Sequence, residues 1–199
     1  MKRKTLIFLF FLVSIAVICI TYHTNKNHTF REEFEEFIST PIQIPYDKFE
    51  RKICYAFQNS LKEENKLRLI FYIDSIGCVD CKILRTLSFA KLNKDICTKV
   101  RFIYIFPVKN PDSEALFRRL CLQRVEGEVY FDTCNAFKNA NPKFPLNRRI
   151  FHTFALDNKN NVIFAGNPTY NPKNEEVFKK IVKVYTSKNR TDTQCSSKM

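Results

Sequence analysis

The chain has 199 residues, 45% of them hydrophobic and 27% charged, which suits one globular domain with an additional segment. Its three glycines leave no phosphate-cradling loop of the Walker or dinucleotide type, because such loops need glycine for close backbone approach. The net charge of +13 is spread over scattered Lys and Arg, with no basic block interleaved with aromatics, so it reads as a solvated basic surface and excludes nucleic acid as the main partner.

At the N-terminus, Lys2, Arg3 and Lys4 precede the apolar run Leu6 to Ile20. A basic region followed by such a run reads as a signal peptide or membrane anchor over residues 1–22, although it is short against the roughly 20 apolar residues of a spanning helix. No small-x-small cleavage site follows, so both an uncleaved anchor and an export signal stay open. Lipidation at Cys19 is the lesser reading, since Ile18 stands where a small residue is wanted. Either way the remaining chain is expected on the extracytoplasmic, periplasmic side, where its cysteines can be oxidised.

Residues 23–66 read as a linker and an N-terminal helical extension. Phe30, Phe34 and Phe37 recur at helical spacing among glutamates, with Thr29 as N-cap and Pro41 and Pro45 as terminators. From Asp47 to Lys66 the pattern is mixed. The domain proper is expected over 67–187. It opens with a buried strand, Leu67 to Ile73, then Gly77-Cys78-Val79-Asp80-Cys81-Lys82, then a helix from Val79 to Asn93 with Ile83, Leu84, Leu87 and Leu92 as its apolar stripe.

A second strand is expected over Lys99 to Val108, and a helix over Ser113 to Val125 with Leu116, Phe117, Leu120 and Leu122 in the core. A short strand, Glu128 to Phe131, and a helical turn within Thr133 to Asn139 follow. Arg149 to Leu156 and Asn161 to Ala165 read as an antiparallel hairpin across a turn of Asp and Asn residues. The last helix is expected over Asn174 to Ser187, with a disordered polar tail over 188–199. This order of crossover units followed by a hairpin predicts a three-layer α/β/α sandwich around a mixed central sheet.

Cysteines three residues apart share one face of a helix turn, within reach of a disulfide. At a helix start the unpaired N–H groups and the positive dipole end favour the thiolate, the species that attacks disulfides. Cys78 is therefore the expected nucleophile and Cys81 its resolving partner. A zinc site is an alternative that needs Cys97, Cys121, Cys134 or His152 to converge on the pair, and an inert structural disulfide is another. Asp80 disfavours a thiolate and Lys82 favours one. Cys121 and Cys134 flank the short strand and are close enough in sequence to meet, but spacing alone leaves the pairing of Cys54, Cys97, Cys121, Cys134 and Cys195 open.

Three pieces, DSIGCVDCK, RIFHTFALDNKNNVIFAGNP and NPKNEEVFKKIVKVY, resemble thioredoxin-like proteins of the TlpA and peroxiredoxin-related type, over roughly Leu67 to Tyr185. The resemblance implies a membrane-associated extracytoplasmic protein that exchanges thiols and disulfides with partner proteins and a redox partner, through Cys78 and Cys81, without metal or organic cofactor. It also implies a docking groove lined by His152 and Thr153, where the family carries a proline before the Thr. Gly77 stands in place of the family's aromatic residue. The family's buried acid aligns with Tyr72. The reading from another class is a redox-inert thioredoxin-like binding module stapled by Cys78–Cys81.

Overall fold

The structure, a computed structural model, describes residues 13–15, 17, 21–22, 28–52, 67–74, 79–108, 112–125 and 127–196, and the backbone alone at 80, 90–92, 94, 97 and 188–196. The chain forms two compact units, Met1–Phe37 and Ile38–Met199. In the first, helix α1 begins at residue 28 and continues to 39 across the boundary, close to its expected limits. The Phe30 and Phe34 rings stack at 6.3 Å, and the Arg31 guanidinium donates to Glu35 over 2.8 Å one turn on. Most of the apolar run Leu6 to Ile20 lies outside the described residues, among which no helix is long and apolar enough to cross a membrane.

The second unit is a six-stranded sheet in the order β1-β4-β3-β2-β5-β6. Its strands are β1 (Glu50–Lys52), β2 (Leu67–Tyr72), β3 (Val100–Phe106), β4 (Glu128–Phe131), β5 (Thr153–Leu156) and β6 (Val162–Ala165). Strands β2, β3 and β4 are parallel, joined through α2 (Val79–Leu92), α3 (Lys94–Cys97) and α4 (Asp112–Leu122). Strands β5 and β6 form the antiparallel hairpin beside β2, and β1 closes the other edge antiparallel to β4. The helices α5 (Ala136–Ala140) and α6 (Pro172–Ser196) complete the unit.

Apart from Arg68 and Arg101 near their starts, β2 and β3 are apolar runs, because both of their faces are covered. On one face Leu69, Phe71, Phe102 and Phe131 join a core with Ile83 and Leu87 of α2, Leu116 and Leu120 of α4, and Phe178 and Val182 of α6. On the other face the expected helical layer is slight. Tyr72, Tyr130 and Phe154 meet Phe137 of α5, Phe144 of the following loop, and Tyr46 and Phe49 ahead of β1. Asn141 holds this irregular layer together: its Oδ1 accepts from the Gln43 N–H and its Nδ2 donates to the Gln43 carbonyl, each over 2.8 Å. The mixed sheet was expected and is present; among the described residues this second face carries α5 and irregular chain.

Several expectations need correction. Glu50–Lys52 lies in the stretch read as linker and extension, yet it pairs with β4. Arg149–His152 is a 3-10 turn and not strand, with the Phe151 N–H on the Arg148 carbonyl at 3.0 Å. Leu84 and Leu122, expected in the core, are 52% and 84% exposed. The tail read as disordered continues α6 to Ser196.

At the end of the sheet where the parallel strands begin, Glu128 is enclosed by donors. Arg101 reaches its Oε1 through Nε at 2.9 Å and Nη2 at 2.7 Å, and the Tyr130 hydroxyl donates to its Oε2 over 2.8 Å. Burial, then the hydrogen bond to Glu128, pushes the Tyr130 hydroxyl well above the usual tyrosine range. Next to it, Gly127 has φ +131°, and a Cβ there would lie 2.7 Å from the Phe102 carbonyl oxygen and 2.8 Å from the Tyr104 ring. Only glycine fits that approach of β4 to β3.

Candidate functional site

β2 delivers the site. Its ladder continues through the Ile73 N–H, bonded to the Ile105 carbonyl at 2.9 Å, and ends at Asp74, where the core can no longer cover the chain. Gly77 and Cys78 lie outside the described residues. Cys81 stands in the first turn of α2, exposed, with its sulfur in a disulfide. The side chain of Asp80 is outside the described set, so its part in the site is not assigned.

Lys82, expected only to modulate the thiols, turns back to the strand end. Its Nζ donates to Asp74 Oδ1 at 2.7 Å. His152, 7% exposed, sits opposite Tyr72, as the antiparallel register Phe71↔Thr153 requires. The two rings meet edge-on at 5.4 Å. His152 Nε2 lies 2.8 Å from the Leu146 carbonyl, which can only accept, so Nε2 carries the proton. Nδ1 lies 3.8 Å from Asp74 Oδ2. Thr153 is buried at the start of β5 and receives the Gly166 N–H on its carbonyl at 2.9 Å.

Asp74 is the residue that sequence reading missed. A single acid after a strand looks like turn chemistry, and its two partners arrive from eight and 78 positions away in the chain. Tyr72, aligned with the family's buried acid, is pushed up to about 12 by burial and then by the negative charges of Asp132 and Asp74. It is therefore a neutral hydroxyl at physiological pH. The carboxylate of this site is Asp74.

Beside the strand end lies a cavity of about 400 Å³, walled by Tyr72, Lys82, Thr86, Arg149, His152 and Tyr170 among others. Lys82 follows Cys81 directly in the chain, so the disulfide-bearing turn borders this opening. Arg85 spans its edge with its guanidinium 4.9 Å from the centre of the Tyr170 ring.

The other cysteines resolve in part. Cys121 is also disulfide-bonded, whereas Cys134 is a free, exposed thiol, so these two do not pair with each other. Sulfurs held in disulfides are not the thiolates that bind zinc, which removes Cys81 and Cys121 from the zinc alternative as the structure stands. Among the described residues no three His, Cys, Asp or Glu are placed to hold a metal.

The strand order, with the helix that carries Cys81 following the central strand, makes the fold thioredoxin-like. No family model and no curated protein matches the sequence. Among solved structures, an uncharacterized thioredoxin-like protein from Porphyromonas gingivalis is 17% identical with a TM-score of 0.49, covering 74% of this chain and 94% of its own. The thioredoxin domain of a thiol-disulfide oxidoreductase from Bacteroides vulgatus is 9% identical, TM-score 0.41, covering 57% and 80%. StoA from Bacillus subtilis is 10% identical, TM-score 0.37, covering 53% and 78%.

Proposed function

We propose that the protein is a thiol-disulfide oxidoreductase acting on partner proteins. The observation that carries this is the disulfide-bonded, exposed Cys81 in the first turn of α2, next to an open cavity at the end of the central strands. Cys78 is its proposed partner, three residues earlier and suited by that spacing.

In the oxidised form a client thiolate attacks the Cys78 sulfur, and Cys81 leaves as a thiolate. The resulting mixed disulfide joins the client to Cys78. A second client thiolate attacks the client sulfur and releases a client disulfide, and the Cys78–Cys81 pair has gained two electrons and takes up two protons. Run backwards, the reduced pair opens a client disulfide, with Cys78 attacking and Cys81 resolving. His152 and Thr153 line the client side, Lys82 favours the thiolates, and Asp80 and Asp74 disfavour them.

We place the protein on the extracytoplasmic side, exported or held by its N-terminal segment. Lys2, Arg3 and Lys4 ahead of the apolar run support this, as do the exposed Val13, Ile15 and Val17 in the helical stretch there. Two disulfide-bonded cysteines suit an oxidising compartment.

The test is trapping with a dithiol peptide. Cys81→Ser accumulates a mixed disulfide that reductant releases, Cys78→Ser accumulates none, and the wild type turns over. A wild type that neither oxidises nor reduces the peptide leaves a redox-inert module with a structural disulfide, and the proposal falls.

A further inference from the structure

The opening beside α2 is apolar in its walls and basic at its rim. Ile150 and Tyr170, which line it, are 52% and 68% exposed. A neighbouring pocket lined by Leu84, Arg85 and Thr169 extends the same surface, and Leu84 is 52% exposed. Large apolar side chains left in water together mark a surface that another molecule covers.

Charge identifies that molecule's chemistry. Arg149 and Lys82 line the larger cavity, and among the described side chains no carboxylate does. Asp74 behind it is engaged by Lys82 and His152, and Glu175 in the neighbouring pocket is paired with Lys179 at 2.5 Å. Arg149 and Arg85 have no carboxylate partner among the described residues, and Arg85 is exposed and lies on the Tyr170 ring. Tyrosine and arginine at an apolar cavity mouth are the side chains that anchor partner segments most strongly.

We propose that this surface docks an acidic segment of the client protein, seating one apolar side chain in the cavity and carboxylates against Arg149 and Arg85. The proposal rests on the exchange reading for what then happens to the client's cysteine, and it adds which clients are chosen. The apolar anchor fixes the segment, and the carboxylates select it over basic segments that the +13 chain repels.

The test separates docking from chemistry. The full chain is titrated, by fluorescence anisotropy, with labelled peptides in which serine replaces the client cysteine. The acidic peptide with a neighbouring Phe binds about tenfold more tightly than its lysine counterpart, a preference that shrinks as salt is added. Replacing that Phe by Ala weakens binding severalfold. Arg149→Glu with Arg85→Glu removes the charge preference while thermal unfolding shows the variant folded. Equal binding of acidic and basic peptides, or a preference that survives the double change, overturns the proposal. The cysteine-containing peptides then report on the other reading. Exchange at equal rates for all of them leaves the oxidoreductase and removes the docking preference, whereas selective binding without any mixed disulfide does the reverse.

Discussion

Two carboxylates anchor polar clusters at opposite ends of the sheet; they are about equally covered, and they differ in how fully donors fill their oxygens. Glu128, where the parallel strands begin, has both oxygens filled by Arg101 and the Tyr130 hydroxyl. Asp74, where β2 ends, has one oxygen held by Lys82 at 2.7 Å and the other facing His152 across 3.8 Å, beside a cavity. A buried charge with every donor in place can only lose by change. A carboxylate with one loose contact and an open neighbour has room to exchange partners. The first arrangement holds the sheet together, and the second is suited to chemistry.

Breaking the closed cluster gives the largest effect. Glu128→Ala leaves the Arg101 guanidinium and the Tyr130 hydroxyl half-buried without their acceptor, and it is expected to cost about 3 kcal/mol in a denaturant titration. The exchange rate of the folded fraction should not change. A variant of wild-type stability would show that the cluster is dispensable.

The same operation at the other end sharpens the contrast. Asp74→Asn removes a negative charge near the disulfide-bearing turn and takes from Lys82 its ion pair with Asp74. Stability should change by less than about 1 kcal/mol. The pH profile of thiol exchange should move about one unit toward lower pH, because thiolates form more readily without the carboxylate. An unmoved profile would mean that Asp74 only positions Lys82 and His152.

The smallest effect is confined to alkaline solution. Tyr72 is raised from an ordinary 10 to about 12, so the folded state keeps a proton that the unfolded state has lost. That contribution is complete below pH 10 and disappears as pH rises toward 12. Tyr72→Phe should therefore flatten the fall in thermal midpoint over that window and leave neutral pH unaffected. An identical alkaline fall in both proteins would assign it to other tyrosines.

Much of the sheet was legible because its central strands are buried on both faces and, past Arg68 and Arg101 near their starts, read as apolar runs. Leu67–Tyr72 and Val100–Phe106 leave no alternative of comparable burial. The hairpin followed from the Asp157 turn, whose Oδ1 accepts from the Lys159 and Asn161 N–H groups at 2.8 Å each. By contrast β1 is Glu-Arg-Lys, and only its pairing with β4 makes it a strand. Arg149–His152 carries strand-favouring residues, yet a local turn and the His152 contact to Leu146 fold it otherwise. The candidate site was half visible. The cysteine spacing, Lys82 and His152 are sequence features, whereas Asp74 acquires meaning only when β2, α2 and β5 bring its partners together.

Gly127 carries a consequence for heredity. Any side chain there collides with β3 backbone before β4 can seat, and the residue stands at the beginning of β4, the end of the sheet opposite Asp74. A variant such as Gly127→Val would be scored in a genetic screen as loss of function. Its cause would be scarcity, because chaperones and proteases remove chains that fail to close the sheet. The few molecules that did mature would carry Cys81 and Asp74 unchanged, and abundance would separate that allele from one in the site.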